Sequence, residues 1–522
     1  MTDSYFHRHG RHQRRRTALL KAAAVSTAAL WTVTSCSTLS SEELNSSYPT
    51  LAHYESQTLD FAPCDQTATG IDDDRVECAT LEVPLDYSSP DGPAIELGIS
   101  RIRATGTDRV GSVVVNPGGP GAPSVGFVTA VADSWADGPA RQQFDIVSMD
   151  PRGVGTSRPA IDCYTDQERD DDAIVSGIPA GALAWTADSA RSVLEQCARR
   201  SGGMDVLGQM STENAARDLD VLRAALGDEQ LTFLGASYGT RLGTIYAQQF
   251  PSRVRAMVLD GAVDPRKNVL ERQTQLFAGV QRSFDELSRY CVDRGNCPLG
   301  SDLAGTVGAI QSLLRPLLDT PAPTAGGRRL TYFAAIEAVT LGLYSSQAWD
   351  SVIAGLAELR AGRADVMLAL RDVGAQRGPD GTYTNSSEAT LAINCLDEIR
   401  PTPEQTTAVV AEVNSLAPYM DPGFDVDTHY GCEGWPDEQV LDYPYGDNIT
   451  GLPETLVVSV TGDGLTPHEG GVALSEMLGA RLLTVDGEQH GATTAANACI
   501  NEIVEHYLVD LTIPDNQLRC VL

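Results

Sequence analysis

Lysine is nearly missing from this sequence, and positive charge as a whole is scarce. Only Lys21 and Lys267 occur among 522 residues, and 38 lysines and arginines face 70 aspartates and glutamates, so the formal net charge at pH 7 is −32. A surface this acidic repels phosphate backbones, which excludes DNA and RNA as partners. Hydrophobic residues still make up 42% of the chain, enough for a sizeable core and too many for whole-chain disorder.

The sequence also lacks the spacings that bind metal ions. Eleven cysteines are present, but no two stand at the spacing of a zinc site, and no pair of histidines four residues apart accompanies them. We therefore predict neither a metal site nor a cofactor. Beyond residue 33 no apolar run is long enough to span a bilayer, so any membrane attachment has to come from the N-terminus.

The first 35 residues are typical of an export signal. Arginines between Arg8 and Arg16 precede a mostly apolar stretch, Ala18 to Val33, that is too short and too rich in small residues for a permanent membrane helix. The stretch ends in Val-Thr-Ser-Cys36, which resembles a bacterial lipobox and implies cleavage before Cys36 and a diacylglyceryl anchor on its sulfur. Ordinary cleavage, with Cys36 incidental, is the alternative, and the export route stays open. We expect a lipoprotein at the outer face of the cell membrane, in the cell envelope.

Without Cys36 the chain keeps ten cysteines, an even number that can form five disulfides. Such a content is typical of an oxidising, extracytoplasmic compartment. The sequence alone leaves the connectivity open, and nearest-neighbour pairing is our expectation: Cys64–Cys78, Cys163–Cys197, Cys291–Cys297, Cys395–Cys432 and Cys499–Cys520.

Short β-branched runs alternate with helical patterns, which predicts an α/β fold with a mostly parallel sheet. Val76–Leu85 and Ile95–Ile102 are expected to form an antiparallel pair. The expected buried parallel strands are Ser112–Val115, Phe144–Met149, Leu231–Leu234, Val254–Leu259, Leu456–Val460 and Arg481–Val485.

From about Pro265 to Pro453 the strand rhythm gives way to helical periodicity, including one long helix predicted over Val352–Gln376. Because this stretch lies between two predicted core strands, it indicates a helical cap (lid) inserted into the core. The predicted organisation is a signal peptide (1–35), a lipidated cysteine with a tether (36–58), a first core part (59–264), the cap (265–453) and a second core part (454–522).

The strongest motif is Gly235-Ala-Ser237-Tyr-Gly239, a G-x-S-x-G between a predicted strand and a predicted helix. This is the context of a nucleophile elbow, a strained turn that exposes the serine hydroxyl. The glycines flank the serine because side chains there would strike neighbouring backbone. Ser237 is therefore the candidate nucleophile, and a chance match is the alternative.

A serine nucleophile needs a base and an acid. His490, in a polar loop after the last predicted strand, is the candidate base, and Asp463, which follows another predicted strand, is the candidate acid. Their order along the chain is the one expected after a nucleophile elbow. The rivals are His468, expected at a helix start and pointing to solvent, and Asp260, which could equally cap or turn the chain.

The oxyanion of an acyl transfer needs two backbone N–H groups aimed at one point. One is expected from Tyr238, directly after the nucleophile. The other is expected from Gly119 in the loop Asn116-Pro-Gly-Gly-Pro-Gly121, since the next residue is a proline without an N–H. A plain turn is the alternative; a phosphate loop is excluded because no Gly-Lys-Ser/Thr follows.

Taken together, these residues resemble the tripeptidyl-aminopeptidase and proline-iminopeptidase-like α/β-hydrolases of actinobacteria. The resemblance extends over most of the exported chain, although Pro117 stands where the typical iminopeptidase has histidine. With the lipobox, it points to the cell-envelope lipoproteins of this family, described both as carboxylesterases and as proteases. It also supports the pairings Cys395–Cys432 and Cys499–Cys520. The segments that carry it include 118–121, 150–155, 212–219, 392–397 and 432–436.

The resemblance implies a peptidase that acts near a free N-terminus. Such an enzyme needs carboxylates to hold the substrate ammonium. Glu213, Asp397 and Glu398 are the candidates, although in a chain with 70 acidic residues a solvated surface position is the more ordinary reading of each.

Three functions follow from these observations. The first is an extracytoplasmic serine peptidase that forms an acyl-enzyme on peptide or protein substrates. The second is a carboxylesterase or lipase with the same triad, acting on short-chain esters. The third is a catalytically silent binding protein, against which the complete set of catalytic residues argues. Exo- against endopeptidase action and the oligomeric state stay open.

Overall fold

The computed structural model describes residues 51–171, 185–424, 428–436, 441–513 and 518–522. The predicted signal peptide and Cys36 lie outside the described residues. None of the helices in the described ranges is long and apolar enough to cross a membrane.

The centre of the molecule is a ten-stranded sheet. In the described residues the strands are β1 (Ala62–Pro63), β2 (Val76–Pro84), β3 (Ala94–Ile102), β4 (Gly111–Asn116), β5 (Phe144–Met149), β6 (Leu231–Ala236), β7 (Val254–Asp260), β8 (Ala322–Pro323), β9 (Arg329–Leu330), β10 (Leu456–Val460), β11 (Arg481–Asp486) and β12 (Leu518–Val521). Their order in the large sheet is β1-β2-β3-β5-β4-β6-β7-β10-β11-β12, and β8 pairs with β9 as a separate hairpin.

Neighbouring strands from β5 to β12 are parallel, whereas β1, β2, β3 and β5 pair antiparallel in that order. The predicted α/β class, the antiparallel pair and all six predicted parallel strands are confirmed. The strands β1, β8, β9 and β12 were not predicted, because two to four residues are too short for a recognisable period.

Helices cover the sheet and fill the stretch between β7 and β10. In the described residues they are α1 (Leu51–Glu55), α2 (Gln66–Thr69), α3 (Phe127–Ser134), α4 (Pro139–Gln143), α5 (Asp166–Asp170), α6 (Ala187–Ser201), α7 (Met204–Leu207), α8 (Thr212–Ala225), α9 (Tyr238–Gln249), α10 (Val269–Arg294), α11 (Thr306–Leu314), α12 (Tyr332–Gly342), α13 (Trp349–Arg360), α14 (Asp365–Gly374), α15 (Ser386–Asp397), α16 (Pro403–Leu416), α17 (His468–Leu478) and α18 (Ala498–Asp510).

The central strands are buried on both faces, which explains why apolar residues occur on both faces of β4 and β5 and do not strictly alternate with polar ones. Every residue of β4 and β5 is buried. Along β4, Val113 and Val115 contact a hydrophobic core that contains Val128 of α3, while Val114 contacts a second core that contains Leu219 of α8. This alternation places one helical layer on each side of the sheet.

The cap segment, residues 265–453, leaves the large sheet after β7 and returns at β10. These two strands are neighbours, with Leu456 opposite Val258, so the segment starts and ends side by side. Helices α10 to α14 and α16 share a hydrophobic core of their own, whereas α15 contributes Ala392 and Leu396 to the core beneath the sheet. In the described part of the cap segment no strand joins the large sheet.

Two elements differ from their predicted bounds. The single helix predicted over Val352–Gln376 is two helices, because Gly362 has a φ of +84° that breaks the helix between α13 and α14. The predicted tether reaches too far, since Tyr54 of α1 is fully buried in the core and the Gln57 side chain exchanges hydrogen bonds with the backbone of Glu82.

All five disulfides follow the nearest-neighbour pairing. They are Cys64–Cys78, Cys163–Cys197, Cys291–Cys297, Cys395–Cys432 and Cys499–Cys520.

Candidate active site

The elbow serine lies in a strained turn between β6 and α9. Ser237 has φ 55° and ψ −121°, a conformation that residues other than glycine rarely adopt. Its N–H donates to the carbonyl of Asp260 on β7 at 2.8 Å, which fixes the turn against the next strand. A Cβ on Gly235 would lie 2.4 Å from the Gly239 carbonyl oxygen, and one on Gly239 would lie 3.0 Å from that of Asn116. Close packing therefore requires both glycines of the motif.

The structure brings His490 and Asp463 into contact. The imidazole Nδ1 lies 3.1 Å from Oδ1 and 3.0 Å from Oδ2 of the carboxylate. Backbone N–H groups of Leu465 and Thr466 donate to Oδ1 at 2.9 Å. The Thr466 hydroxyl donates to Oδ2 at 2.8 Å and lies 3.2 Å from Nδ1 of the imidazole. Donors other than the histidine therefore fix both oxygens of the carboxylate in the orientation in which they contact the imidazole.

This environment keeps Asp463 charged and favours a protonated His490. Burial would raise the pKa of Asp463, but the charge and hydrogen bond of His490, with the two backbone donors, hold that pKa below its ordinary value. Burial would lower the pKa of His490, yet the charge of Asp463, its hydrogen bond and the charge of Asp260 raise it. An ionised carboxylate on Nδ1 leaves Nε2 of the imidazole to take up a proton.

Asp260, the rival acid, holds the loop that follows the histidine. Its side chain is fully buried, and Oδ2 accepts from the N–H groups of Ala492 and Thr493 at 2.8 Å and from the Thr493 hydroxyl at 2.7 Å. Asp260 therefore acts on His490 through its charge and through the main chain, whereas Asp463 hydrogen-bonds the ring.

The rival histidine does not point to solvent as predicted. His468 is half-buried, and its Nδ1 lies 2.9 Å from the hydroxyl of Ser459, a fully buried residue of β10. The first turn of α17 packs on β10, an interior strand of the sheet, which turns the ring inward.

The loop after β4 passes directly beside the elbow. A Cβ on Gly118 would lie 2.5 Å from the carbonyl oxygen of Ala236, 2.8 Å from Cβ of Ser237 and 3.0 Å from N of Tyr238. Gly118 and Gly119 have φ of +101° and +116°, which only glycine adopts without strain. Tyr238 is the first residue of α9, where backbone N–H groups have no acceptor within the helix.

Two buried groups brace the surroundings of this loop. Asp150 accepts hydrogen bonds from the N–H groups of Ser124 and Val125 at the end of the loop. Arg152 is fully buried and pairs with Asp218 of α8 through two nitrogens, at 2.7 and 2.8 Å. These contacts give a structural reason for two of the segments on which the family resemblance was based.

A cavity of about 680 Å³ opens on the elbow. Ser237, His490, Gly119 and Tyr238 all contribute to its lining. One of its walls is a single face of α12 and the residues just after it: Phe333, Ala334, Glu337, Thr340, Leu341 and Tyr344. The lining includes two acidic residues, Asp264 and Glu337, among the described residues.

Asp397 and Glu398 lie beside Arg241 of α9, the helix that follows the elbow, and do not line the cavity. The backbone N–H of Thr212 donates to Asp397 at 2.9 Å, and burial raises the pKa of Asp397 to about 6. Glu398 pairs with Arg241 at 2.9 Å and with Arg272, which hold its pKa below the ordinary value although burial would raise it. Both carboxylates serve the framework that supports α9.

Glu213 lies on α8, half-buried, and pairs with Arg217 one turn later at 3.4 Å. It is not among the residues that line the cavity. Four of the residues predicted from the sequence line the cavity: Ser237, His490, Gly119 and Tyr238. A fifth, Asp463, contacts the His490 imidazole.

Sequence reasoning missed the role of Thr466. Its position three residues after Asp463 is the spacing at which an aspartate accepts from a following turn, so a local signal existed. No group of three His, Cys, Asp or Glu side chains within the described ranges is arranged to hold a metal ion.

Residues 111–492 match the family model of the alpha/beta hydrolase fold. This span runs from β4 to the loop that carries His490 and contains Ser237 and Asp463.

Three relatives of the chain are named for three different activities. Over 459 residues the chain is 39% identical to serine protease Hip1 of Mycobacterium tuberculosis, with 85% of this chain and 87% of that protein covered. It is also 39% identical over 452 residues to carboxylesterase B of Mycobacterium tuberculosis, with 85% and 86% covered. Tripeptidyl aminopeptidase of Streptomyces coelicolor is 33% identical over 451 residues, with 83% and 81% covered. Similarity alone therefore does not separate a peptidase from an esterase.

Proposed function

The chain belongs to the alpha/beta hydrolase family and is a serine hydrolase, and from that premise we propose that it is a peptidase that works outside the cytoplasm. The observation that carries the proposal is the His490–Asp463 contact beside the strained elbow of Ser237, at the cavity that Ser237 and His490 both line. The names of two relatives, a serine protease and a tripeptidyl aminopeptidase, support the peptidase assignment.

In the proposed mechanism Ser237 is the nucleophile and His490 the general base. Nε2 of the imidazole takes the serine proton as the oxygen attacks the substrate carbonyl, and later gives it to the leaving amine. Asp463 holds the Nδ1–H tautomer and stabilises the imidazolium that forms. The raised pKa of His490 favours that imidazolium, which is the state present in the transition state.

The backbone N–H groups of Gly119 and Tyr238 form the proposed oxyanion hole. Both are held by rigid features, a glycine pair at positive φ and the first turn of a helix. Donors fixed in this way stabilise a developing oxyanion without reorganising during the reaction. The acyl group then resides on the serine oxygen until a water molecule, activated by His490, releases it as a carboxylic acid.

We propose Glu337 as the group that holds the substrate ammonium. Glu337 lies on α12 and lines the same cavity as Ser237 and His490. A short peptide whose scissile carbonyl lies at Ser237 therefore meets Glu337 with its free amine if it extends along this wall, and three extended residues span about 10 Å. Glu337 also lies 3.4 Å from Nε of Arg371, which orients the carboxylate.

Carboxylesterase activity is the second candidate. The cavity wall contains Phe277, Phe333 and Leu341, which suit an apolar acyl group, and a carboxylesterase is as similar in sequence as the serine protease. The same triad cleaves an ester, so the wall and not the triad distinguishes the two functions.

Three fluorogenic substrates separate these functions: a tripeptide amide with a free amine, the same peptide with a blocked amine, and a short-chain acyl ester. Turnover of the free-amine peptide that disappears in Ser237→Ala supports the peptidase. Cleavage of the ester alone overturns it in favour of the esterase. If no substrate is cleaved and a fluorophosphonate does not label Ser237, the chain is a binding protein.

The ammonium site has its own test. We expect Glu337→Gln to raise KM for the free-amine peptide about tenfold or more and to leave the blocked peptide unaffected, because a charge-assisted bond is lost. Glu412→Gln, on an exposed position of α16, is the matched control. Equal effects on both peptides would remove Glu337 from the proposal.

The proposed location at the outer face of the cell membrane depends on Cys36. A Cys36→Ser chain expressed in the native host should lose incorporation of labelled fatty acid and move from the membrane fraction to the medium. Continued membrane association of this variant without label would contradict the lipid anchor.

A further inference from the structure

The cap segment forms a short piece of sheet with the loop that carries the proposed base. The N–H of His490 donates to the carbonyl of Tyr344 at 2.7 Å, and the N–H of Ser346 donates to the carbonyl of Glu488 at 3.1 Å. Between them Ser345 and Gln489 form an antiparallel bridge. We call residues 344–346 the bridge segment.

The side chain of Tyr344 adds a second contact. Its ring centroid lies 5.4 Å from that of the His490 imidazole, and the two planes meet at 88°, an edge-to-face arrangement. Both rings line the cavity. The bridge segment therefore touches both the backbone and the ring of the same residue.

The loop of His490 is held from two directions. On the side of the sheet, Asp463 holds Nδ1, and Asp260 accepts from the backbone of Ala492 and Thr493. The bridge segment holds the residues on the other side of the histidine, 488–490, and is the part of the cap segment that makes these backbone bonds.

We propose that the bridge segment is a positioning element for His490, so that the cap segment completes the catalytic centre as well as covering the cavity. The inference rests on the proposed role of His490 as general base. A base has to present Nε2 within hydrogen-bond reach of the serine oxygen, and a displacement of about 1 Å costs roughly 100-fold in rate. Two backbone bonds and an aromatic contact from the cap segment fix that geometry.

Ser346 allows one of these bonds to be removed alone. It is exposed, it is not part of the cavity lining, and it is the first residue of a short 3-10 helix, Ser346–Ala348. The preceding Ser345 has φ −155° and ψ 138°, an extended conformation that accepts a following proline. Ser346→Pro therefore deletes the N–H that binds Glu488 and fits the local backbone. Ser346→Ala keeps the N–H and is the matched control.

We expect Ser346→Pro to lower kcat about tenfold or more with KM unchanged, because the substrate site is intact and the base is loosened. The rate of fluorophosphonate labelling should fall in parallel. The acid limb of the pH profile of kcat should move to lower pH, since weaker contact with Asp463 removes part of what raises the pKa of His490. Ser346→Ala should behave like the wild type in all three measurements.

A second pair of variants tests the same contact in case Ser346→Pro does not fold. Tyr344→Leu removes the ring that contacts His490, and Tyr344→Phe keeps it. We expect a lower kcat and labelling rate for the leucine variant and near-normal values for the phenylalanine variant, each with an unfolding temperature close to that of the wild type. If Ser346→Pro and Tyr344→Leu keep wild-type kcat and pH profile, the inference is wrong although the enzyme is active. If the wild type itself shows no Ser237-dependent activity, the proposed function fails instead.

Discussion

Two buried aspartates lie near His490, and exchanging each for asparagine tests which of them supports catalysis. In Asp463 both oxygens accept hydrogen bonds, two on Oδ1 from the backbone and two on Oδ2, from the Thr466 hydroxyl and the N–H of Gly491, in addition to the imidazole contact. An asparagine amide that keeps Oδ1 in place presents its NH₂ to Nδ1 of the imidazole. The ring then has to accept at Nδ1 and carry its proton on Nε2, the tautomer that cannot take a proton from Ser237.

The expected loss for Asp463→Asn is about 10⁴-fold in kcat, the size known for this tautomer error in serine proteases. That corresponds to about 5 kcal/mol of transition-state stabilisation. Asp260→Asn is the matched control, because all three of its hydrogen bonds fall on Oδ2, which an amide oxygen replaces. We expect its kcat to stay within about tenfold of the wild type, since neutral bonds replace charge-assisted ones and a remote charge is lost.

The assay is kcat for whichever substrate the wild type cleaves, normalised to active sites titrated with a fluorophosphonate under forcing conditions. Circular dichroism and the unfolding temperature show that each variant is folded. A folded Asp463→Asn variant that retains more than about a tenth of the activity would refute the tautomer argument. So would an Asp260→Asn variant with the larger loss, which would make Asp260 the acid.

Three further results are expected. The pKa of His490 is raised above its ordinary value of 6.5, and a general base has to be neutral. We therefore expect kcat/KM to fall as the pH drops through a midpoint above 6.5. A midpoint well below 6.5 would contradict the environment described for His490. Gly118→Ala should reduce kcat about 100-fold, because its new Cβ would lie 2.5 Å from the carbonyl oxygen of Ala236 and because Gly118 has a φ of +101°. Gly126→Ala is the control and should keep its activity, since a Cβ there meets open space. Equal activities of the two variants would remove the loop from the oxyanion site. Burial raises the pKa of Glu505 to about 7, so its ionisation opposes folding as pH rises from its ordinary 4.5 through 7. Glu505→Gln should therefore raise the free energy of unfolding at pH 8 by up to about 3 kcal/mol, seen as a higher unfolding temperature, and should not raise it at pH 5. Equal increases in the unfolding temperature at both pH values would refute this assignment.

The parts of the fold that sequence predicts are those fixed by local pattern. The strands Phe144–Met149 and Leu456–Val460 match at both ends, because a strand buried on both faces is a short, mostly apolar run bounded by polar residues. The elbow is equally local, since strand, glycines and helix follow one another along the chain. The break at Gly362 was missed because a lone glycine in a helical pattern does not reveal its φ.

Residues that act through long-range contacts were not predictable in the same way. The 344–346 segment meets the loop of His490 across 146 residues of chain, and nothing in its own sequence points there. Asp397 and Glu398 were considered as substrate-binding groups because the sequence shows their charge, whereas their burial beside Arg241 is a property of the packed structure. Charge is visible in a sequence, but the dielectric around it is not.

The side-by-side ends of the cap segment have an evolutionary consequence. Because the chain leaves β7 and re-enters at the adjacent β10, a recombination event can exchange everything between them and leave the sheet and the elbow as they are. Substrate range can therefore be inherited separately from the chemistry. The contact between Tyr344 and His490 limits this freedom. A transplanted cap segment confers a new specificity only when it brings along a bridge segment, the counterpart of residues 344–346, that fits the host's histidine loop.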